Sequence, residues 1–342
     1  MIKLLRAFVG VAIGVVFLWL ALRDQNVEDI RAVWARLDAS WLLLATAVYA
    51  FSLMVRVARW SCLLAVLGRV RAQDIGEVLL VGNAVNNILP ARLGELFRAD
   101  YGKRRLALTR SALLATIVVE RLADLATVVA ALLCGMLVLE PLLHDVGRPW
   151  HIINFVAAIG AGLFVVALTA VVLLPRSERL AQWLPQFARR RLDDIVMALR
   201  SWARVRKMRF MMLTLGVWGL EATALACILR ASGIDHGPFE LLMVLGLANL
   251  STLVPTAPAY LGSYQFSYAI AFSALGWSSA QGIAVATTAQ VVLLAPATLV
   301  GVLVLILRSM PASSGWSWMR ANGRRVAGTS TFAAQRRRNG DP

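Results

Sequence analysis

The ionisable residues of greatest chemical interest lie just after a proline in an apolar stretch. Arg92, Glu95 and Arg98 come after Pro90 and are three residues apart from one another. If a helix restarts after Pro90, this spacing puts the three side chains on one face. A charge at the centre of a membrane span costs at least ~2.5–3.5 kcal/mol, so these side chains are expected to face protein or water. The free N–H groups at the start of such a helix also attract anions. The pattern predicts an anion-binding position inside an apolar region.

Two interpretations of this stretch are open. In the first, Arg92 and Glu95 form an ion pair that only locks a chain reversal. In the second, Arg92 and Arg98 bind an anionic group, and Glu95 adjusts the local charge. Asn87 either joins this binding site or caps free backbone groups at the helix break. An ion pair alone does not require a proline break, so the break favours a binding site.

A second group of charges lies inside other apolar runs. Glu120 and Asp124 are one helical turn apart, and Arg121 lies between them in the sequence. Arg56 and Arg59, three residues apart, are basic partners available on an earlier run. These five residues predict a buried polar network near the proline break, with Arg56 and Arg59 also counted as candidate substrate-binding residues. A purely structural network and a proton or substrate relay are equally compatible with the pattern.

Hinge and gating residues are predicted where two apolar regions, 77–100 and 240–275, are interrupted. Proline removes a backbone donor and glycine permits a sharp reversal. In the second region, Tyr260 and Gln265 are candidate hydrogen-bonding groups, although ordinary packing at a helix break accounts for each of them equally well. The predicted hinge and gating set is Pro90, Gly94, Pro255, Pro258, Tyr260, Gly262 and Gln265.

The elements that carry these residues are predicted to be membrane helices. The chain has 342 residues, of which 59% are hydrophobic, with a mean hydropathy of +0.69. This is more apolar than ordinary globular domains, and several runs approach the ~20 residues that span a bilayer. The two interrupted regions are predicted to be re-entrant hairpins of broken helices. Six full spans are predicted near 7–22, 41–66, 111–139, 152–174, 209–231 and 281–307.

The distribution of basic residues predicts the orientation of these spans. With six crossings and two hairpins, one side of the membrane collects 26 of the 35 Lys and Arg residues. By the positive-inside rule that side is cytoplasmic and carries both termini. The same topology relates about 1–140 to about 150–308 as an inverted repeat, an arrangement typical of transporters with broken helices. The net charge of +16 is explained by this segregation, so no nucleic-acid partner is expected.

The chain is predicted to form one transmembrane domain over 1–308. Within it, about 176–208 has apolar residues at helical spacing among many arginines, which predicts an amphipathic segment on the cytoplasmic leaflet. The basic remainder, 309–342, is predicted to be a disordered tail. The three cysteines and three histidines have no metal-ligand spacing, and no P-loop pattern occurs, so neither a metal nor a cofactor is expected.

Three motifs resemble one known membrane family. They are Asn-x-x-Pro-x-Arg-x-Gly-Glu-x-x-Arg at 87–98, Glu-Arg-x-x-Asp at 120–124 and Pro-x-x-Pro-x-x-x-Gly at 255–262. In this order the chain resembles the lysylphosphatidylglycerol synthase transmembrane-region family over about 5–308. The sequence departs from the family at Ala259, where a glycine is common, and at Gln265, where many members have glutamate. These departures leave the substrate open.

The resemblance implies a flippase-like domain that moves an amphipathic lipid between leaflets. A modified phospholipid, a polyprenyl-linked sugar and a hopanoid-type lipid are the implied substrate classes. The aminoacyl-transfer domain of the fused synthases is not expected here, so the chain is not expected to be an enzyme. We therefore expect a lipid translocase of a bacterial inner membrane, independent of ATP. The main alternative is a membrane scaffold for a separate lipid-modifying or glycosyl-transfer enzyme, and an intramembrane transferase is the third class.

Overall fold

The computed structural model describes residues 2–89, 93–142, 149–173, 205–254 and 256–309, and these are helical with short connections. A compact unit covers Met1–Val302, and a second unit, Leu303–Pro342, is described only at 303–309. The α-helices are α1 (Ile2–Leu22), α2 (Val27–Trp34), α3 (Ala39–Leu64), α4 (Ala72–Ile88), α5 (Leu93–Leu106), α6 (Arg110–Leu139), α7 (Pro149–Leu173), α8 (Lys207–Ala231), α9 (Pro238–Ser251), α10 (Ser263–Ala274), α11 (Ser279–Ala289) and α12 (Ala295–Ser309).

Several predicted features fall outside the described residues. Pro90, Arg92 and Pro255 do so, as do most of the amphipathic segment predicted at 176–208 and nearly all of the tail predicted at 309–342. The predictions made for these positions stay predictions.

The helices confirm a multi-pass membrane protein. Five of them are long and apolar enough to cross a bilayer, and a sixth span results if α1 and α2 are taken together across a 90° bend. A π-helical turn, Gln290–Leu294, joins α11 and α12 into one long apolar element. The five helices are Ala39–Leu64, Arg110–Leu139, Trp150–Ala170, Lys207–Ala231 and Ser279–Arg308.

Side-chain caps begin three of the helices. Asn26 accepts a hydrogen bond from the backbone N–H of Glu28 at 3.0 Å, and Asp38 accepts one from Ser40 at 2.8 Å. The hydroxyl of Thr109 accepts from the N–H of Ala112 at 3.3 Å. Such caps satisfy N–H groups that have no partner within the helix, which matters most near a membrane where water is scarce.

The interruption predicted at 77–100 is present, and α4 and α5 run antiparallel on either side of it. The hydroxyl of Tyr101 donates to Glu77 at 2.7 Å, far from the break, whereas Gly94 packs on Asn86 close to it. A Cβ at Gly94 would lie only 2.4 Å from the backbone N of Asn86, so only glycine permits this approach. With 17 and 14 residues, each helix is shorter than the ~30 Å hydrocarbon core at a rise of ~1.5 Å per residue.

The interruption predicted at 240–275 is also present, between α9 and α10. Ala259 and Tyr260 both have positive φ, and Gly262 follows with φ of +90°. A Cβ on Gly262 would lie 2.0 Å from the carbonyl oxygen of Gly14, because α1 packs directly on this loop. The glycine is therefore required both by its own backbone and by its neighbour.

Helices from the first part of the chain, α1–α6, pack against helices from the second part, α8–α12. The most extensive pairing is between α3 and α8, followed by α6 with α9. Gly246 on α9 lies so close to α6 that a Cβ there would be 2.6 Å from the Cβ of Leu132. Small residues at such crossings let backbones approach, which is a main source of helix association in lipid. This tight packing fixes α6 and α9 around the polar residues described next.

Candidate functional site

Arg59 is the centre of a buried charge network. Its guanidinium donates to Asp124 at 2.5 and 3.2 Å and to Glu120 at 2.8 Å, and its side chain is 0% exposed. The two carboxylates are one turn apart on α6, so both face α3 from the same side of their helix. Because a lone buried charge is costly, this three-residue arrangement is stable only as a unit.

Arg98 closes the network from α5. It forms an ion pair with the second oxygen of Glu120 at 3.0 Å, and its guanidinium lies 3.8 Å from the ring centre of Trp60. The indole N–H of Trp60 donates in turn to Thr116 at 3.1 Å. Arg98 is thus held by a carboxylate on one side and an aromatic face on the other.

Trp218 brings α8 into the same network. Its indole N–H donates to Asp124 at 3.0 Å, and the residue is largely buried. Asp124 therefore accepts hydrogen bonds from α3, α6 and α8, since Arg121 also donates to it at 3.2 Å. A carboxylate with several donors is held in one orientation.

Arg121 connects the network to a more open region. Besides Asp124, it forms an ion pair with Glu95 on α5 at 2.8 Å. Its side chain is 36% exposed and that of Glu95 is 28% exposed, in contrast to the buried residues behind them. Glu95 therefore has an arginine partner other than Arg92.

A separate ion pair joins the two best-packed helices. Arg56 on α3 contacts Glu221 on α8, and both side chains are largely buried. Arg56 and Arg59 are three residues apart, yet they pair with different helices because the α3 surface faces α8 and α6 at once.

The two ion pairs Arg121–Glu95 and Arg56–Glu221 line a central cavity of about 160 Å³. It lies where both interrupted regions meet, since α4, α5, α9, α10 and the loop before α10 all contribute to its wall. Its polar lining combines paired charges with amides, phenols and an indole. These residues are Tyr49, Arg56, Asn83, Asn86, Asn87, Glu95, Arg121, Trp218, Glu221, Asn249, Thr252, Tyr260, Tyr264 and Tyr268.

Two amide hydrogen bonds join the first interrupted region to the second part of the chain. Asn86 donates to the hydroxyl of Tyr260 at 2.7 Å, and Asn87 donates to Thr298 on α12 at 2.8 Å. The side-chain oxygen of Asn86 is buried without a hydrogen-bond partner among the described residues. A polar atom in this state is ready to accept a bond from a bound group.

Comparison with known proteins identifies the family. The sequence profile of the lysylphosphatidylglycerol synthase TM region matches residues 7–301. This chain belongs to that family. It is also 23% identical, over 301 aligned residues, to the glycosyltransferase AglD of Haloferax volcanii. That alignment covers 78% of this chain and 48% of AglD, so the chain spans about half the length of this relative.

In this member of the lysylphosphatidylglycerol synthase TM region family, the residues that the sequence singled out fall into two groups. Arg59, Arg98, Glu120 and Asp124 form the buried network and do not line the central cavity. Five other predicted residues line the cavity: Arg56, Asn87, Glu95, Arg121 and Tyr260.

Gln265 holds the second interruption together and lies away from the cavity wall. Its side-chain oxygen accepts from the N–H of Gly262 at 2.8 Å, and its amide group donates to Gln290 at 2.6 Å. Gln290 donates back to the carbonyl of Ala259 at 2.9 Å. This amide network fixes the positive-φ loop, and the hinge role of Gln265 and Gly262 stays a prediction.

Some residues of the site escaped the sequence motifs. Trp218 and Asn249 lie in apolar runs outside the three motifs, and Glu221 is a carboxylate within a predicted span that belongs to none of them. Trp218 and Glu221 are three apart on α8, which puts them on one face, as a search for polar pairs at helical spacing can detect.

Proposed function

We propose that this chain is a flippase-like lipid translocase, which moves an amphipathic lipid with an anionic or otherwise polar head group between leaflets. The observation that carries the proposal is the central polar cavity at the meeting point of two interrupted helix pairs. Broken helices around a polar site near the middle of the membrane are the usual design of transporters. A polar cavity among apolar spans shelters a head group from the hydrocarbon, which otherwise opposes its passage.

The proposed topology follows the sequence prediction. The pairs α4/α5 and α9/α10 are re-entrant hairpins that approach the cavity from opposite sides, as parts of an inverted repeat. The equivalent positions of α3 and α8, each before an interrupted pair, support this assignment. With the basic segments inside, both termini are cytoplasmic, and the membrane is the inner membrane of a bacterium.

We assign different roles to the two groups of charges. Arg56, Glu95, Arg121 and Asn87 line the cavity and contact the head group. The buried network behind them holds α3, α5 and α6 in register, because its charges already satisfy one another. Arg92 remains the predicted ligand for an anionic group, since a guanidinium can donate several hydrogen bonds to phosphate.

A second candidate function is supported by the comparison with AglD. That relative is named a glycosyltransferase, and this chain aligns with about half of it. The chain can therefore serve as a membrane scaffold or lipid-presenting subunit for a separate glycosyl-transfer enzyme. In either case we propose that it performs no transfer chemistry itself.

Leaflet exchange in proteoliposomes tests the proposal. Purified protein is reconstituted with head-group-labelled phosphatidylglycerol, phosphatidylethanolamine or glucosyl diacylglycerol, and loss of signal to an external quencher reports exchange. We expect acceleration over empty liposomes for at least one lipid, whereas a scaffold would give none with any of them. The double variant Arg56→Gln, Glu221→Gln should lose exchange because it alters the cavity wall. The matched control, Glu28→Gln with Arg31→Gln, removes an exposed ion pair on α2 and should keep it.

A further inference from the structure

A lateral groove lies beside the central cavity. It encloses about 310 Å³ between α6, α7 and the end of α9. Its wall shares five residues with the central cavity, so the two spaces lie side by side: Glu95, Arg121, Trp218, Asn249 and Thr252. Apart from these residues and Asp124 the wall is apolar, and Val118 and Leu253 in it are 44% and 37% exposed. The Arg121–Glu95 ion pair thus stands between a polar cavity and an apolar opening.

A second, apolar groove lies next to the lateral groove, on the other side of α9. It encloses about 320 Å³ between α1, α7, α9 and α10, and it shares Leu250 and Leu253 with the lateral groove. One face of α7 lines both. Ile152, Val156, Ile159 and Leu163 face the apolar groove, and Ala167 faces the lateral groove.

We call these five α7 residues the tail strip, and their spacing of three or four residues puts them on one side of the helix. From Ile152 to Ala167 the strip extends over 15 residues, or about 22 Å at a rise of ~1.5 Å per residue. One leaflet of hydrocarbon is only ~15 Å thick. The tail strip is therefore longer than a single leaflet.

We infer that the tail strip binds a hydrocarbon chain of the lipid whose head group occupies the central cavity. The inference rests on the proposed function and names the part of the substrate that the cavity cannot hold. The shared walls of the cavity and the two grooves select this occupant, because a lipid needs a polar site and an apolar site side by side. The length of the strip lets the chain stay in contact with α7 while the head group passes the middle of the membrane.

By the same inference, the head group passes the Arg121–Glu95 pair when it moves from the lateral groove into the central cavity. These two residues line both the central cavity and the lateral groove. They are also more exposed than the buried charges behind them. Entry from the lipid side therefore runs between α6 and the end of α9, past Val118 and Leu253.

Photolabelling with a diazirine-tailed phosphatidylglycerol tests the tail strip directly. Leu163 lies in the strip and is 47% exposed, whereas Val165 on the same helix is 58% exposed and lies outside both grooves. We expect labelling of Leu163 to exceed that of Val165 several-fold, and Leu163→Trp to abolish labelling of the remaining strip. Equal labelling of the two positions would mean that lipid only surrounds α7, and would overturn the inference.

Exchange kinetics provide the second readout. Leu163→Trp fills the strip and should slow leaflet exchange about tenfold, because inserting bulk into an occupied apolar site is unfavourable to this extent. Val165→Trp is the matched control and should exchange like the unmodified protein, with both variants melting normally. If Leu163→Trp does not fold, Ile159→Trp replaces it. Labelling confined to the tail strip, without exchange of any labelled lipid, would refute translocation but keep the tail site. Equal exchange rates for Leu163→Trp and Val165→Trp would refute the tail site alone.

Discussion

Neutralising Glu120 should destabilise the protein strongly, because its carboxylate is paired with two arginines at once. Arg59 donates to one oxygen at 2.8 Å and Arg98 pairs with the other at 3.0 Å, and the Glu120 side chain is 2% exposed. In the charge cluster formed by the described residues, Arg59, Arg98 and Arg121 balance Glu95, Glu120 and Asp124. Glu120→Gln leaves one positive charge uncompensated in a buried site.

The expected size follows from the cost of breaking a buried pair, ~3–5 kcal/mol. The entropy of unfolding is about 2.1 cal/mol/K per residue, so over roughly 300 residues each kcal/mol lowers the melting temperature by about 1.6 °C, and the loss should be at least roughly 5 °C. Restoring the charge balance should recover most of the lost stability. In the double variant Glu120→Gln, Arg98→Met, one positive and one negative charge are removed together, and Arg59 keeps its bonds to Asp124.

Thermal unfolding of the purified protein in one detergent, followed by loss of monodisperse protein, is the assay. Arg110→Gln supplies the control, because Arg110 and Asp100 form a pair whose side chains are 45% and 48% exposed. Exposed pairs contribute at most ~1 kcal/mol, so this control should melt almost normally. The reasoning fails if Glu120→Gln melts like the control, or if the double variant is less stable than both single variants.

Three further predictions concern other parts of the site. Arg92→Gln should melt normally, because Glu95 keeps its ion pair with Arg121, but it should lose most exchange of labelled phosphatidylglycerol. If the melting temperature falls together with exchange, Arg92 has a structural role instead. Gln265→Leu should lower the melting temperature more than Gln265→Glu, since only leucine removes the acceptor for Gly262 at a cost of ~1–3 kcal/mol. Cysteine-accessibility labelling should place 67–76 with 98–110 on the cytoplasmic side and 232–238 with 276–280 outside, and a split within either pair would remove that hairpin.

The sequence predicted the helices and their interruptions well, because these depend on local properties. Apolar runs of sufficient length predicted the spans, and proline, glycine and asparagine within them predicted the breaks after α4 and α9. Glu120 and Asp124 were correctly expected to share a face, since they are four residues apart on one helix.

The sequence did not determine which charges pair. Helical periodicity gives the residues on a face, but it does not give the rotation or register of one helix against another. For this reason Arg56 and Arg59 were assigned to one network, whereas Arg56 pairs with Glu221 and Arg59 with α6. The Glu95–Arg121 ion pair was not predicted for the same reason.

The energies of these contacts indicate which parts of the site can rearrange. Breaking the ion pairs that hold α3 and α5 to α6 would cost ~3–5 kcal/mol for each buried pair. The two side-chain hydrogen bonds described from the first interruption to the second part of the chain are neutral, from Asn86 to Tyr260 and from Asn87 to Thr298. Such bonds contribute only ~0.5–1.5 kcal/mol each, and a polar head group can replace them. Opening of the central cavity is therefore expected at the two asparagines, while the buried charges stay together.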